Sequence, residues 1–277
     1  MILIAILLGT VAAGIGSVWL AAVLSFGMLA RYTQHMLSLA AGALLATAFM
    51  HLLPEAFESQ ISPDHLFATL LVGLVFFFLL DKAELWHHGH EHHDAERAVS
   101  AGHAHHGHEH AHSAHLHGHA HQHGQASGGW TVLAGDSVHA FGDGILIASA
   151  FMADLRLGLV AALAVLVHEV PHHMGDLVVL RQSSNNNRRA ALVKVSLAGS
   201  VTALGGVVGY ALVDQLINYL PYFLIIASSS FVYVALADLI PQLQKRASAS
   251  ETGAQIFWLA TGIGMVTLIS GLMHHQH

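Results

Sequence analysis

The sequence contains no cysteine, which excludes a disulfide framework and any cysteine-based zinc site. Charged residues are also scarce, at 10% of the 277 residues, whereas an average soluble domain has about 25%. Hydrophobic residues make up 54% of the chain and the mean hydropathy is +0.57, as in integral membrane proteins. The formal charge of −7 argues against nucleic acid as the main partner. No phosphate-binding loop of the form G-x-x-x-x-G-K-[ST] is present, and no prosthetic cofactor is expected.

Residues 1–30 contain no Asp, Glu, Lys, Arg or His. A signal peptide is not expected here, because a basic first region is missing and the apolar run exceeds about 7–15 residues. We interpret this stretch as the first membrane span.

Apolar runs of roughly 20 residues, each near the length that crosses the hydrocarbon core, recur along the chain. The predicted spans are approximately 2–26, 36–57, 65–85, 130–151, 157–180, 190–213, 219–242 and 254–273. We therefore predict an all-α integral membrane protein with eight transmembrane helices in a single domain, 1–277. Spans 4 to 6 are rich in Gly and Ala, which allow close helix packing.

The distribution of basic residues predicts the orientation of these spans. The Lys and Arg residues beside the 1–2, 3–4, 5–6 and 7–8 connectors are Arg31, Lys82, Arg97, Arg181, Arg188, Arg189, Lys194, Lys245 and Arg246. Only Arg156 lies on the other side. By the positive-inside rule, those connectors are cytoplasmic and both termini are external.

The 3–4 connector, 87–129, is a low-complexity segment that holds most of the 26 histidines. It has almost no large apolar residues, and we predict a disordered cytoplasmic loop. Histidine-rich tracts commonly bind metals, although a solvated linker of drifted composition is the alternative. The predicted metal-binding residues of the loop are His103, His105, His106, His108, His110 and His112.

Spans 4 and 5 concentrate ionisable residues, which are costly inside a membrane and usually mark a functional site. Span 4 contains His139 and Asp143, which share a helix face because they are four residues apart. Span 5 contains His168, Glu169 and His172. Imidazoles and carboxylates are ligands of Zn²⁺ and related divalent cations. We predict that these five residues bind a metal ion; interhelical hydrogen bonds that merely pack the helices are the alternative.

Other polar residues within or beside the spans are weaker candidates for secondary metal contacts. They are His173, His51, Glu55 and Asp238. For His51, Glu55 and Asp238, stabilisation of a helix end is an equally good explanation. Pro171, inside span 5, removes a backbone donor, which fits a kinked helix that lines a cavity.

These motifs resemble those of the ZIP (Zrt- and Irt-like) divalent-metal transporters, especially the branch with a histidine-rich loop. The span 4 motif stands as "HAFGDG" at 139–144 and the span 5 motif as "HEVPHHMGD" at 168–176. The segments "HLLPEA" and "YVALADLIPQL" in spans 2 and 7 are similar to family patterns as well. The resemblance covers essentially the whole chain.

The resemblance implies that His139, Asp143, His168, Glu169 and His172 bind the transported metal midway through the membrane. It also implies a 3+2+3 arrangement in which spans 1–3 and 6–8 are inverted pseudo-repeats, alternating access, and a possible homodimer. The expected function is import of Zn²⁺, with Cd²⁺, Fe²⁺ and Mn²⁺ as possible further substrates. A bacterial inner membrane is the expected location.

The sequence departs from the family pattern at two positions. Ala140 replaces the usual Asn and His173 replaces the usual Glu. We therefore expect one principal metal site, with any second site weakened or altered.

Two other classes of protein share some of these features. The letters "HEVPH" match the His-Glu-x-x-His signature of zinc proteases, so an intramembrane metalloprotease is one alternative. Pro171 argues against it, because both histidines of that signature need a regular helical face. A metal exporter of the cation-diffusion type is the other alternative, since such proteins also carry a histidine-rich loop.

Overall fold

The computed structural model is entirely helical over the residues it describes. These are 1–25, 33–100, 128–183, 187–244 and 248–274. Within them, the backbone alone is described at 25, 33–34, 81, 83–100, 128–134, 182–183, 238–244 and 273–274.

Ten α-helical segments follow one another along the chain. They are α1 (Ile2–Val11), α2 (Ser17–Ser25), α3 (Thr33–Thr47), α4 (Leu53–Phe57), α5 (Pro63–Ser100), α6 (Gly128–Ala153), α7 (Leu155–Ser183), α8 (Arg188–Gln215), α9 (Leu220–Gln244) and α10 (Ala249–His274). A π-helical turn, Ala12–Gly16, joins α1 to α2, and another, Ala48–Leu52, joins α3 to α4. A short 3₁₀ turn, Ile217–Tyr219, precedes α9.

The described helices match the predicted membrane spans closely. Seven of them are long and apolar enough to cross a membrane, judged by length and composition over the described residues. Predicted span 4 is also a helix, α6, but it is not among the seven. Its mean hydropathy is lowered by polar residues and glycines, among them Asp136, His139 and Asp143.

Pro54 and Pro171 have different local consequences for the helices that contain them. Pro54 follows the π-helical turn Ala48–Leu52, in which the Leu53 amide donates to the Ala48 carbonyl. Proline cannot continue the regular ladder of hydrogen bonds, and a wider turn before it accommodates the change. Pro171 lies inside α7, and the helix continues through it.

Side-chain caps determine where three of the helices begin. The Asp154 Oδ1 atom accepts hydrogen bonds from the Arg156 and Leu157 amides at the start of α7. Asn187 caps α8 in the same way. Before α10, the Glu251 carboxylate accepts from the Ser248 amide, while the Ser248 hydroxyl accepts from the Glu251 amide. This reciprocal pair is a capping box.

Glycines allow α6 and α8 to approach each other closely. A Cβ atom on Gly144 would collide with the Thr202 carbonyl oxygen, and one on Gly205 would collide with the Phe141 carbonyl oxygen. The prediction that the small residues of these spans permit close packing is thereby confirmed. Since α6 carries two of the five predicted metal ligands, this contact helps to fix their position.

The helix α5 extends beyond predicted span 3 and ends at Ser100. Its last part, 87–100, therefore lies inside the segment that was predicted to be disordered, and that prediction needs correction for these residues. The stretch contains no proline and includes the good helix formers of "DAERAV", which explains why a helix continues there. The predicted loop ligands His103, His105, His106, His108, His110 and His112 lie outside the described residues.

Candidate metal centre

The helices α6 and α7 are neighbours in the chain and pack against each other. The turn at Asp154 reverses the chain between them, so that the middle of α6 faces the middle of α7. His139 and Asp143 lie on one face of α6, four residues apart. His168, Glu169 and His172 lie in the facing part of α7.

Three of the five predicted ligands form a compact group. The Nε2 atom of His139 lies 3.4 Å from Nε2 of His168 and 3.5 Å from Oε1 of Glu169. The Nε2 atom of His168 lies 3.6 Å from the same Glu169 oxygen. Each residue offers a ligand atom within 4.8 Å of the other two. We call His139, His168 and Glu169 the inner cluster.

Asp143 and His172 adjoin the inner cluster. The Oδ2 atom of Asp143 lies 3.7 Å from Nε2 of His139. The ring centre of His172 lies 4.5 Å from that of His168 and 6.4 Å from that of His139. The structure therefore brings all five predicted residues together. Three of them form the inner cluster, and Asp143 and His172 lie next to it.

Because the two carboxylates of this group are buried, their negative charges are costly in free energy unless they are balanced. Glu169 is 3% exposed and Asp143 is 4% exposed. One oxygen of each, Oε1 of Glu169 and Oδ2 of Asp143, is buried without a hydrogen-bond partner among the described residues. A buried carboxylate is stable only when it is paired, hydrogen-bonded or coordinated to a metal. The residues present therefore suit a divalent cation, whose charge would balance theirs.

A cavity of about 660 Å³ opens beside these side chains. Residues from α5, α6, α7 and α9 line it, and His139, Asp143, His168 and His172 are among them. Ser230 and Tyr233 contribute polar groups from α9. The described lining includes no Lys or Arg, so no fixed positive charge there opposes the entry of a cation. The cavity is large enough for a hydrated ion.

The weaker candidates lie in different surroundings. His173 is completely buried in α7 and its Nε2 atom lies 3.2 Å from Oε2 of Glu169. His51 is half-buried in the π-helical turn before α4, and Glu55 is exposed in α4. Neither His51 nor Glu55 is among the described residues that line the cavity. The side chain of Asp238 lies outside the described residues.

Two acidic residues near the centre were missed in the selection of ligands from the sequence. Asp136 and Asp176 both line the cavity. Their spacing was a usable signal, because Asp136 precedes His139 by three residues and Asp176 follows His173 by three. A search for every acidic residue on the ligand-bearing helix faces would have found them.

Comparisons with known proteins give a family and several relatives. The family model described as ZIP zinc transporter matches residues 1–270. The chain is 35% identical over 145 residues to "Zinc transporter zipt-7.2" of Caenorhabditis elegans. The aligned region covers 50% of this chain and 30% of that protein. It is 33% identical over 159 residues to "Zinc transporter ZIP10" of Danio rerio, covering 55% of this chain and 19% of that protein. The chain thus spans a third or less of the length of these two relatives.

A third relative is matched over a greater length. "Zinc transporter ZIP13" of Pongo abelii is 26% identical over 257 residues, which cover 86% of this chain and 67% of that protein. The family is one of transporters rather than enzymes, and this confirms that the chain is not an enzyme. Together with the seven long apolar helices, the family also identifies an integral membrane protein. The match over residues 1–270, the two motifs and the convergence of their histidines and carboxylates agree, and the chain belongs to the ZIP zinc transporter family.

Proposed function

We propose that this protein carries Zn²⁺ across the membrane and that the ion binds the inner cluster on its way. The observation that carries this proposal is the convergence of His139, His168 and Glu169 from two packed helices. Two imidazoles and one carboxylate are a common ligand set for zinc that leaves a further coordination position open. An open position is what a transported ion needs, because it must exchange ligands and leave.

Asp143 and His172 complete the proposed site as adjustable ligands. Both border the cavity and lie next to His139 and His168 respectively. A small rearrangement of α6 against α7 would bring them into or out of reach of an ion at the inner cluster. The other divalent ions, Cd²⁺, Fe²⁺ and Mn²⁺, remain predictions, since histidine and carboxylate ligands accept several divalent transition metals.

The proposed direction is from outside to the cytoplasm. It depends on the sidedness predicted from the Lys and Arg residues, which leaves both termini external and the histidine-rich loop cytoplasmic. The loop, 87–129, connects predicted spans 3 and 4, so in this orientation it lies on the cytoplasmic side, where its histidines would receive the ion. A bacterial inner membrane as the location and a homodimer as the assembly are likewise predictions.

Alternating access through inverted repeats is the proposed mechanism. Helix packing supports the 3+2+3 arrangement, in which α1–α2, α3–α4 and α5 correspond to α8, α9 and α10. If each helix is replaced by its counterpart in the other repeat, the packing of α5 on α9 becomes the packing of α10 on α3, and both contacts are present. The packing of α6 on α8 likewise maps onto that of α7 on α2. Inverted repeats that enclose a site near the membrane midplane suit a rocking transition between two states.

Reconstitution into liposomes that contain a metal-sensing dye tests transport directly. Under an imposed gradient, we expect Zn²⁺ to enter liposomes that hold the full chain much faster than protein-free liposomes. Cd²⁺, Fe²⁺ and Mn²⁺ added separately give the order of preference. The proposal fails if none of the four ions crosses.

Expression in cells tests the direction. We expect internal zinc to rise when the protein is expressed, because import moves the ion toward the histidine-rich loop. A fall in internal zinc would instead indicate export and would overturn the proposed sidedness.

A further inference from the structure

A second group of ligand-type side chains lies beside the inner cluster, on the same two helices. Asp136 of α6 and His173 and Asp176 of α7 each offer a ligand atom within 4.8 Å of the other two. One imidazole and two carboxylates are ligands that zinc and related divalent ions accept. We call these three residues the outer cluster.

The environment of His173 distinguishes the outer cluster from an ordinary acidic patch. His173 is 0% exposed; its Nε2 atom lies 3.2 Å from Oε2 of Glu169, and neither ring nitrogen makes a hydrogen bond of regular geometry with a described residue. Its Nδ1 atom lies 3.6 Å from Oδ2 of Asp176. The Oδ2 atom of Asp136 is also buried without a hydrogen-bond partner among the described residues. Buried polar atoms are ordinarily satisfied, so these atoms point to a missing ligand.

The carboxylate of Glu169 stands between the two clusters. Its Oε1 atom lies 3.5 Å from Nε2 of His139, whereas its Oε2 atom lies 3.2 Å from Nε2 of His173. Each oxygen therefore faces a different cluster. Glu169 thus contacts one residue of each cluster, which places the two clusters side by side.

The outer cluster lies nearer to one end of both helices. Asp136 precedes His139 by one helical turn, toward the beginning of α6. His173 and Asp176 follow Glu169 toward the end of α7. The beginning of α6 and the end of α7 adjoin the 3–4 and 5–6 connectors, which are predicted to be cytoplasmic. Asp136 and Asp176 line the same cavity as His139 and His168, so the two clusters share an open space.

We propose that Asp136, His173 and Asp176 form a second divalent-cation site, which takes the ion from the inner cluster before its release to the cytoplasm. This inference rests on the proposed transport through the inner cluster. It assigns His173, where the chain departs from the family pattern, a role as a ligand outside the five predicted residues. It also assigns roles to Asp136 and Asp176.

Anomalous scattering from Cd²⁺ in crystals of the full chain tests the site directly. We expect one peak among His139, His168 and Glu169 and another among Asp136, His173 and Asp176. Asp136→Asn combined with Asp176→Asn preserves side-chain shape while removing both charges, and we expect it to abolish only the second peak. Asp214→Asn, at an exposed position near the end of α8, is the matched control and retains both peaks.

Zinc flux into liposomes tests whether the outer cluster takes part in transport. We expect Asp176→Asn to lower the flux by about tenfold, a typical loss when a group that supports metal binding is removed, while Asp214→Asn leaves it unchanged. A wild-type crystal with only the inner peak overturns the second site and leaves the proposed function intact. A crystal with neither peak contradicts the proposed function as well. Two peaks together with a normal flux in Asp176→Asn overturn the relay.

Discussion

Glu169 is nearly buried, and each of its two oxygens faces a different histidine. Without a cation, a carboxylate in this position has lost most of its hydration and has no hydrogen bond at Oε1 within the described structure. Electrostatic attraction is strong where water is excluded. In the proposed site, the negative charge of Glu169 would therefore supply a large part of the attraction for an incoming ion.

Replacing Glu169 by Gln preserves the size of the side chain and removes its charge. We expect the zinc concentration for half-maximal flux in liposomes to rise by at least about tenfold, because the ion loses both a ligand and a compensating charge. Glu58→Gln, at an exposed position after α4, is the control for the same change of charge. An unchanged half-maximal concentration in Glu169→Gln would contradict the role given to this carboxylate.

The sequence predicts individual candidate ligands better than it predicts which residues of the facing helix lie next to them. Spacing within one helix identifies shared faces, and on that basis His139, Asp143, His168, Glu169 and His172 were selected together. Which face of α6 meets which face of α7 depends on helix rotation, which spacing within a helix does not define. For that reason His173 was noted without its neighbours Asp136 and Asp176, although each lies three residues from a histidine of the motifs.

The contact between α6 and α8 depends on positions that lack a side chain. A Cβ atom at Gly144 would lie 2.6 Å from the Gly206 amide nitrogen, in addition to its collision with Thr202. Both of these groups belong to the backbone of α8, which cannot move aside as a flexible side chain could. The position of α6 thus depends on a close contact with the backbone of α8 that only glycine permits at residue 144.

The substitution Gly144→Ala tests this contact. We expect it to lower the free energy of unfolding by about 1–3 kcal/mol through overpacking, with a lower melting temperature of the purified protein in detergent. Gly142→Ala in the same helix is the matched control, since its added Cβ would meet nothing within 4 Å. That variant is expected to be neutral or more stable by up to about 1 kcal/mol, because alanine favours helix. Equal destabilisation of the two variants would contradict the close approach of α6 to α8.

Long apolar runs predict the positions of the helices, and apart from the end of α5 the helix ends lie within about five residues of the predicted ones. Local departures from regular helix are harder to predict. The π-helical turn at Ala48–Leu52 is one response to Pro54, whereas α7 continues through Pro171 without such a turn. The extension of α5 through 87–100 was missed because composition alone indicated disorder, even though the segment contains good helix formers.

Two independent patterns describe the molecule as a whole. The helix pairs that pack together are those expected if the first three and the last three spans are inverted repeats on either side of α6 and α7. The basic residues predict which side of the membrane each connector faces. The centre of the bundle holds the inner cluster and a cavity of about 660 Å³. A carrier of this design is expected to lose transport when the cluster is damaged, while its helices still assemble.

The flux of zinc into liposomes, compared between His168→Ala and His65→Ala, tests the central claim most directly. His168 is buried in the inner cluster, whereas His65 is exposed near the beginning of α5. Comparing the two variants therefore distinguishes the effect of damaging the inner cluster from the effect of removing a histidine elsewhere. With equal amounts of correctly folded protein, we predict a fall of at least about tenfold for His168→Ala and a normal flux for His65→Ala. A normal flux in His168→Ala would contradict transport through the inner cluster.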